Sequence, residues 1–158
     1  MKRECGAAAC LVLGSPVAAA VEPTIETVLF IRHGEKGPEG LGQISCRGLN
    51  RALALPPVLA ARFRRIDAVF APDPAHQKPD GALSYDYVRP IATIEPTAVW
   101  FGLPVHAAIG YEEKDKLRDA LLAPEFRKAT VLVAWEHHAL NEIVPALVGR
   151  LGGDAAAV

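Results

Sequence analysis

Two short polar clusters, each containing histidine, follow apolar runs in this sequence. Arg32-His33-Gly34-Glu35 comes after the apolar residues 27–31, and Glu136-His137-His138 comes after the apolar residues 130–135. An imidazole can attack phosphorus directly and hold the phosphoryl group as phosphohistidine, which divides one difficult transfer into two easier ones. Guanidinium and histidine N–H groups suit the three phosphoryl oxygens when they are fixed in place beforehand. Arg32 and His33 therefore predict part of a phosphoryl-transfer site.

The apolar runs predict the strands that would position these clusters. Residues 27–31 are continuously β-branched or apolar, the pattern of a strand buried on both faces. Further strands are predicted over 66–71, 105–106 and 130–135, and helices over 48–63, 87–101, 112–122 and 139–151. Pro56-Pro57 falls within the first helix, so we expect a kinked or two-part helix. Residues 72–84, which are rich in proline, are expected to form the longest loop.

This order of elements predicts an α/β fold, a three-layer α/β/α sandwich around a mostly parallel sheet. In such folds, ligands bind beyond the carboxyl ends of the strands. The two strongest predicted strands each run directly into a histidine cluster. We therefore expect both clusters at one edge of the sheet, where they would form a single site.

Length and charge narrow the classes of partner. The 158 residues fit one compact domain, and a net charge of −1 gives no basic face for nucleic acid or anionic membranes. Residues 1–20 combine a basic start, an apolar stretch and Ala18-Ala19-Ala20, as a secretory signal peptide does. We expect a signal peptide over 1–20, a single domain over 21–158 and a secreted or periplasmic location, or a cytoplasmic one without cleavage. Cys46 alone would remain, so an internal disulfide is excluded.

Four segments, taken in order, resemble the histidine phosphatase superfamily, which includes phosphoglycerate mutases, phosphohistidine phosphatases and acid phosphatases. Residues 28–35 are similar to its strand with an Arg-His-Gly motif, and residues 48–52 to its Gly-x-x-Arg-Ala helix. Residues 84–93 are similar to its Ser-x-x-x-x-Arg-x-x-Gln-Thr segment, with Ala92 where glutamine is usual. Residues 131–137 resemble its last strand and second active-site histidine. The resemblance covers about residues 27–150, and four motifs in order are a specific signal.

The resemblance implies that His33 is the nucleophile and that Arg32, Arg89 and His137 form the phosphate pocket. His138 is the alternative to His137, which we favour because it follows the strand more directly. The implied activity is hydrolysis of a phosphomonoester or a phosphohistidine, so the partner is a small phosphorylated substrate or a phosphoprotein. No cofactor is implied.

The proton donor is less specific than the nucleophile. A leaving alcohol needs an acid, ideally a carboxyl group with a raised pKa. The family often places this acid before the last strand, where Glu113 is our candidate and Glu112 and Asp115 are alternatives. Good leaving groups, such as those of phosphoramidates, react without a strong donor. We expect no metal site, because no His/Asp/Glu spacing resembles a ligand set.

Two other functions stay open. A phosphomutase would share the chemistry, although an export signal would separate it from central metabolites. A phosphate-binding module without turnover is suggested by Ala92, by the unassigned donor and by the short C-terminus. Family members usually continue into a further strand after the last helix, so we expect either a narrower sheet or a truncated chain.

Overall fold

Strands and helices alternate along most of residues 26–158, the part of the chain that the computed structural model describes. The strands are β1 (Thr27–Arg32), β2 (Ala68–Pro72), β3 (Lys78–Asp80), β4 (Leu83–Tyr85), β5 (Val105–Ile109) and β6 (Thr130–Trp135). The helices are α1 (Cys46–Arg62), α2 (Arg89–Phe101), α3 (Lys114–Leu121) and α4 (His137–Arg150), with 3₁₀ turns at Pro124–Phe126 and Ala155–Ala157. The expected signal peptide lies outside the described residues.

The main sheet contains four parallel strands in the order β1-β6-β2-β5. This confirms the predicted α/β class. The prediction that β1 is buried on both faces was wrong, because β1 is an edge strand and its residues are only half-buried. The central strand β6 is the buried one, with Val131 to Trp135 all fully covered.

The two faces of β6 separate two apolar cores. Val131, Val133 and Trp135 pack in a core that includes residues of α3 and α4. Leu132 and Ala134 point to the other face, where the core includes residues of α1 and α2. Helices therefore cover both faces of the sheet, which confirms the three-layer sandwich.

Two local predictions need correction. The first helix is continuous from Cys46 to Arg62 and contains Pro56-Pro57, so it is not in two parts, because burial of its apolar face outweighs the hydrogen bonds that two prolines remove; a kink at these prolines stays a prediction. Residues 72–84 are not one loop, since β3 and β4 form an antiparallel hairpin there. Gly81, with φ of 75°, allows the tight turn between them.

No strand follows α4 within residues 26–158. The helices of that same range include none that is long and apolar enough to cross a membrane.

Candidate active site

The carboxyl ends of β1 and β6 lie side by side, so the two histidine clusters meet at one edge of the sheet. Arg32 is paired in register with Trp135, the last residue of β6. The backbone N–H of His33 donates to the carbonyl of Trp135 at 3.4 Å. His33 and Glu136 are therefore the first residues beyond the ladder on neighbouring strands.

His33 is buried, with 6% of its surface exposed. Its Nδ1 lies 2.7 Å from the carbonyl oxygen of Gly34, and because a carbonyl only accepts, Nδ1 carries the proton and Nε2 keeps a free lone pair. Burial lowers the pKa of His33, and the charges of Arg89 and Arg32 lower it further. The imidazole is therefore neutral near pH 7, the form that can act as a nucleophile.

Glycine lets the segment between β1 and α1, here called the His33 loop, pass close to α1 and α2. A Cβ on Gly34 would lie 3.2 Å from the Cα of Gly48, and a Cβ on Gly48 would lie 2.7 Å from the carbonyl oxygen of Glu35. The N–H of Gly34 donates to Thr93 Oγ1 at 2.7 Å, and that hydroxyl donates to the carbonyl of Arg89, also at 2.7 Å. The loop thus packs directly against the backbone of α1 and is hydrogen-bonded to α2 through the Thr93 hydroxyl.

Arg89 opens α2 and is buried beside the site. Its Nη1 donates to Asp80 Oδ2, and Lys36 Nζ lies 2.9 Å from Asp80 Oδ1. Burial raises the pKa of Asp80, but hydrogen bonds from Lys36 and Arg89 outweigh this effect and hold it at about 2. Asp80 therefore remains ionised and attaches the β3–β4 hairpin to the start of α2.

Tyr87 connects Arg89 to His33. Its ring is fully buried, meets the His33 ring edge-on at 6.0 Å between centroids, and lies 5.1 Å below the Arg89 guanidinium carbon. Within the described residues, Tyr87 Oη and Arg89 Nε have no hydrogen-bond partner. Buried donors without partners are costly, and an anion bound beside His33 would satisfy such groups.

Glu136 was identified from the sequence as part of the cluster after β6, but no role in the site was predicted for it. It is buried and caps α4 by accepting from the N–H of Ala139 at 2.8 Å. Its Oε1 lies 3.1 Å from His137 Nδ1 and 3.6 Å from Lys78 Nζ. Burial raises the pKa of Glu136, but the Ala139 N–H and these cationic neighbours lower it below the usual value, so its charge acts on His33.

Lys78 was missed, because it lay in a segment expected to be a loop. Lys78 and Asp80 alternate along β3 and so share one side of the hairpin, while Pro79 between them is exposed. The Lys78 ammonium lies 5.3 Å from the centroid of the Tyr87 ring and 4.7 Å from that of Tyr111. The hairpin thereby places the positive charge of Lys78 beside Tyr87, next to His33.

Of the four predicted phosphate-pocket and nucleophile residues, Arg32 and His33 are consecutive at the end of β1, and the Tyr87 ring lies between His33 and Arg89. His137 is the first residue of α4, is half-buried and feels the charge of Arg32. His138 is exposed, with its ring centroid 3.9 Å from that of His137.

The candidate proton donors lie at the start of α3. Glu113 accepts from the N–H of Gly110 at 2.9 Å and pairs with Lys116, and these contacts lower its pKa. Asp115 is exposed and paired with Arg118. A carboxyl group with a lowered pKa is ionised near neutral pH and carries no proton to donate, and Glu113 stays a prediction.

Among residues 26–158, one cluster of side chains could hold a metal ion. The potential ligand atoms of Glu136, His137 and His138 all lie within 4.8 Å of one another, a cluster that consecutive sequence positions did not suggest. Lys78 lies 3.6 Å from Glu136. Burial lowers the pKa of His137, and the charges of Arg32 and Lys78 lower it further while Glu136 raises it, so these cations compete with a metal ion for the cluster.

Comparison with known proteins supports the fold. No family model and no curated protein matches this chain. The structure of a provisionally assigned phosphohistidine phosphatase SixA from Agrobacterium tumefaciens is similar, with a TM-score of 0.54 and 15% identity over 82% of this chain and 79% of that chain. Another provisionally assigned SixA, from Nakamurella multipartitia, gives 0.56 and 15% over 85% and 75%. The resemblance to histidine phosphatases is thus confirmed at the level of the fold.

Proposed function

We propose that this protein is a phosphatase that hydrolyses a phosphomonoester or a phosphohistidine through a covalent phosphohistidine on His33. The observation that carries the proposal is the buried His33 imidazole, whose Nδ1 is held by Gly34 at 2.7 Å and whose Nε2 is free to attack. The provisional naming of the two similar structures as phosphohistidine phosphatases supports the same reaction class.

In the first step, the Nε2 lone pair of His33 attacks phosphorus. The bond from phosphorus to the leaving oxygen or nitrogen breaks, and the leaving group departs with the electron pair and takes up a proton. The phosphorylated imidazole is positively charged, because Nδ1 keeps its proton. The Gly34 carbonyl, at 2.7 Å, and the negative charge of Glu136 stabilise this cation.

In the second step, water attacks phosphorus and the P–N bond breaks, which returns the electron pair to Nε2 and releases inorganic phosphate. The phosphoryl oxygens bear the charge in both steps, so fixed cations are the main requirement. Arg32, Arg89 and His137 are the proposed oxygen ligands. Tyr87 Oη and Arg89 Nε, which have no hydrogen-bond partner within residues 26–158, add two buried polar groups near His33.

Glu113 remains the proposed donor to the leaving group. Its lowered pKa and its pairing with Lys116 favour substrates that leave without much protonation, such as aryl phosphates and phosphoramidates.

Turnover of p-nitrophenyl phosphate tests the proposal. The native protein should hydrolyse it, and His33→Ala should reduce kcat/KM by at least about 10³-fold, because no other group forms the covalent bond. Rapid quenching without acid should trap label on His33. Label found only on another residue would reject this assignment.

A phosphate-binding module without turnover is the second candidate, and one observation favours it. The charge of Arg89 is already met by the buried Asp80, which leaves less positive charge for a transition state. Native protein that binds phosphate analogues but hydrolyses no faster than His33→Ala would establish this alternative.

A further inference from the structure

A cavity of about 290 Å³ adjoins the candidate phosphate site on the side of α3 and α4. It is lined by Tyr111, Glu112, Lys114, Glu136, His138, Ala139 and Glu142. Glu136 and His138, which flank His137, line this cavity, and Glu136 follows Trp135, whose carbonyl accepts from the N–H of His33. The cavity therefore lies where the part of a substrate beyond the phosphoryl group would extend.

The charge of this cavity is opposite to that of the phosphate site. Three carboxylates line it, and Lys114 is its only ammonium among the described residues. Lys114 pairs with Glu142, and Lys78 lies 3.6 Å from Glu136. The negative charge of Glu112 is therefore left without a matching cation among the described residues of the cavity, and the hydroxyl of Tyr111 donates a hydrogen bond to it at 2.8 Å.

The wall of the cavity is fixed rather than adaptable. The indole N–H of the buried Trp135 donates to the backbone carbonyl of Tyr111 at 3.0 Å, which ties this wall to the end of β6. The Lys114–Glu142 pair joins α3 to α4 on the opposite side. The Tyr111 ring already holds the Lys78 ammonium 4.7 Å from its centroid, and such rings attract cations through their π faces.

We propose that this cavity is the leaving-group subsite and that it selects phosphorylated substrates whose leaving group carries an ammonium or guanidinium group. The inference rests on the proposed phosphatase function. The phosphoryl end of such a substrate meets Arg32 and Arg89, while its cationic end meets Glu112. Opposite charges at the two ends of the site fix the direction in which the substrate binds.

Two aryl phosphates that differ in one charge test the subsite. Tyramine O-phosphate carries an ammonium group on its leaving group, and 4-ethylphenyl phosphate is its uncharged counterpart. The native protein should show kcat/KM at least about tenfold higher for tyramine O-phosphate, which corresponds to about 1.4 kcal/mol. Glu112→Gln should bring the ratio close to one, because it should lower kcat/KM for tyramine O-phosphate more than for 4-ethylphenyl phosphate.

Glu125→Gln is the matched control. Glu125 is exposed and lines a separate cavity with Asp67 and Ala129, next to the amino ends of β2 and β6. It should keep the native preference. A native ratio near one, or an equal loss of preference in Glu125→Gln, would overturn the proposed subsite. Turnover of the two esters by the native protein would still leave the phosphatase proposal intact. Failure to hydrolyse either ester would overturn both proposals.

Discussion

The ends of β1 and β6 and the β3–β4 hairpin both bring charged groups to Tyr87, but different forces hold the two regions. The strand ends are joined by a parallel ladder in continuous register from Thr27↔Thr130 to Arg32↔Trp135. The hairpin is anchored by side-chain ions, namely Asp80 with Arg89 and Lys36 and Lys78 with Glu136. The position of the nucleophile is therefore secured by backbone bonds and packing, whereas part of the positive charge depends on a few ion pairs.

The largest expected effect concerns the hairpin anchor. Asp80→Asn removes the counter-charge of the buried Arg89 and should lower the free energy of unfolding by about 3–5 kcal/mol, since an unpaired buried charge is costly. Denaturant titration measures this change. Asp119→Asn breaks the exposed Asp119–Arg150 pair, which has an N–O distance of 2.6 Å, and should cost less than about 1 kcal/mol. Equal costs would show that ions do not anchor the hairpin.

The next effect concerns the cation that the hairpin carries. Lys78→Met leaves the charge of Glu136 uncompensated beside the phosphate site and should reduce kcat/KM for p-nitrophenyl phosphate by about 10- to 100-fold. Lys78→Arg should restore part of the activity. Lys128→Met, an exposed lysine beside the amino end of β6, is the control. A loss no greater than that of the control would place Lys78 outside the site.

A smaller effect should follow from crowding the strand-end region. Gly48→Ala places a Cβ 2.7 Å from the Glu35 carbonyl oxygen, so the His33 loop must shift, at a net cost of about 1–2 kcal/mol after the gain in helix propensity. Gly149→Ala in α4 is the matched control, because its Cβ would meet its nearest neighbour at 3.9 Å. The control should be neutral or stabilising. Thermal unfolding of both variants decides whether packing secures this loop.

The smallest effect is on the pKa of His33. Because burial and the neighbouring guanidinium groups lower this pKa, the neutral imidazole should be lost only below about pH 6.5. The acid limb of kcat/KM should therefore have its midpoint below that pH. Arg32→Met should move the His33 titration, followed by NMR, to higher pH, and the exposed Arg127→Met should not. An unchanged His33 titration in Arg32→Met would show that the charge of Arg32 does not act on the nucleophile.

The difference between the two regions also explains what could be predicted. A continuous apolar run followed by a polar cluster identifies a strand end from local sequence alone, so His33 and the end of β6 were predicted correctly as neighbours. After β6, no role was predicted for Glu136, although the register of the β1–β6 ladder makes Glu136 the counterpart of His33. The prolines of residues 72–84 predicted a loop in place of the hairpin. Pro79 lies on the exposed side of β3, which leaves Lys78 and Asp80 on its inner side.

The sequence by itself determined the layered α/β architecture and the meeting of two histidine clusters, because hydrophobic periodicity and the order of elements are local properties. Only the tertiary structure decided which charges are free. Arg89 is paired with Asp80, Lys78 lies beside Glu136, and Glu112 faces a cavity with fewer cations than carboxylates. These pairings join residues that are far apart along the chain or lie on different elements, and electrostatic energy depends on distance and burial in space, which spacing along the sequence does not encode.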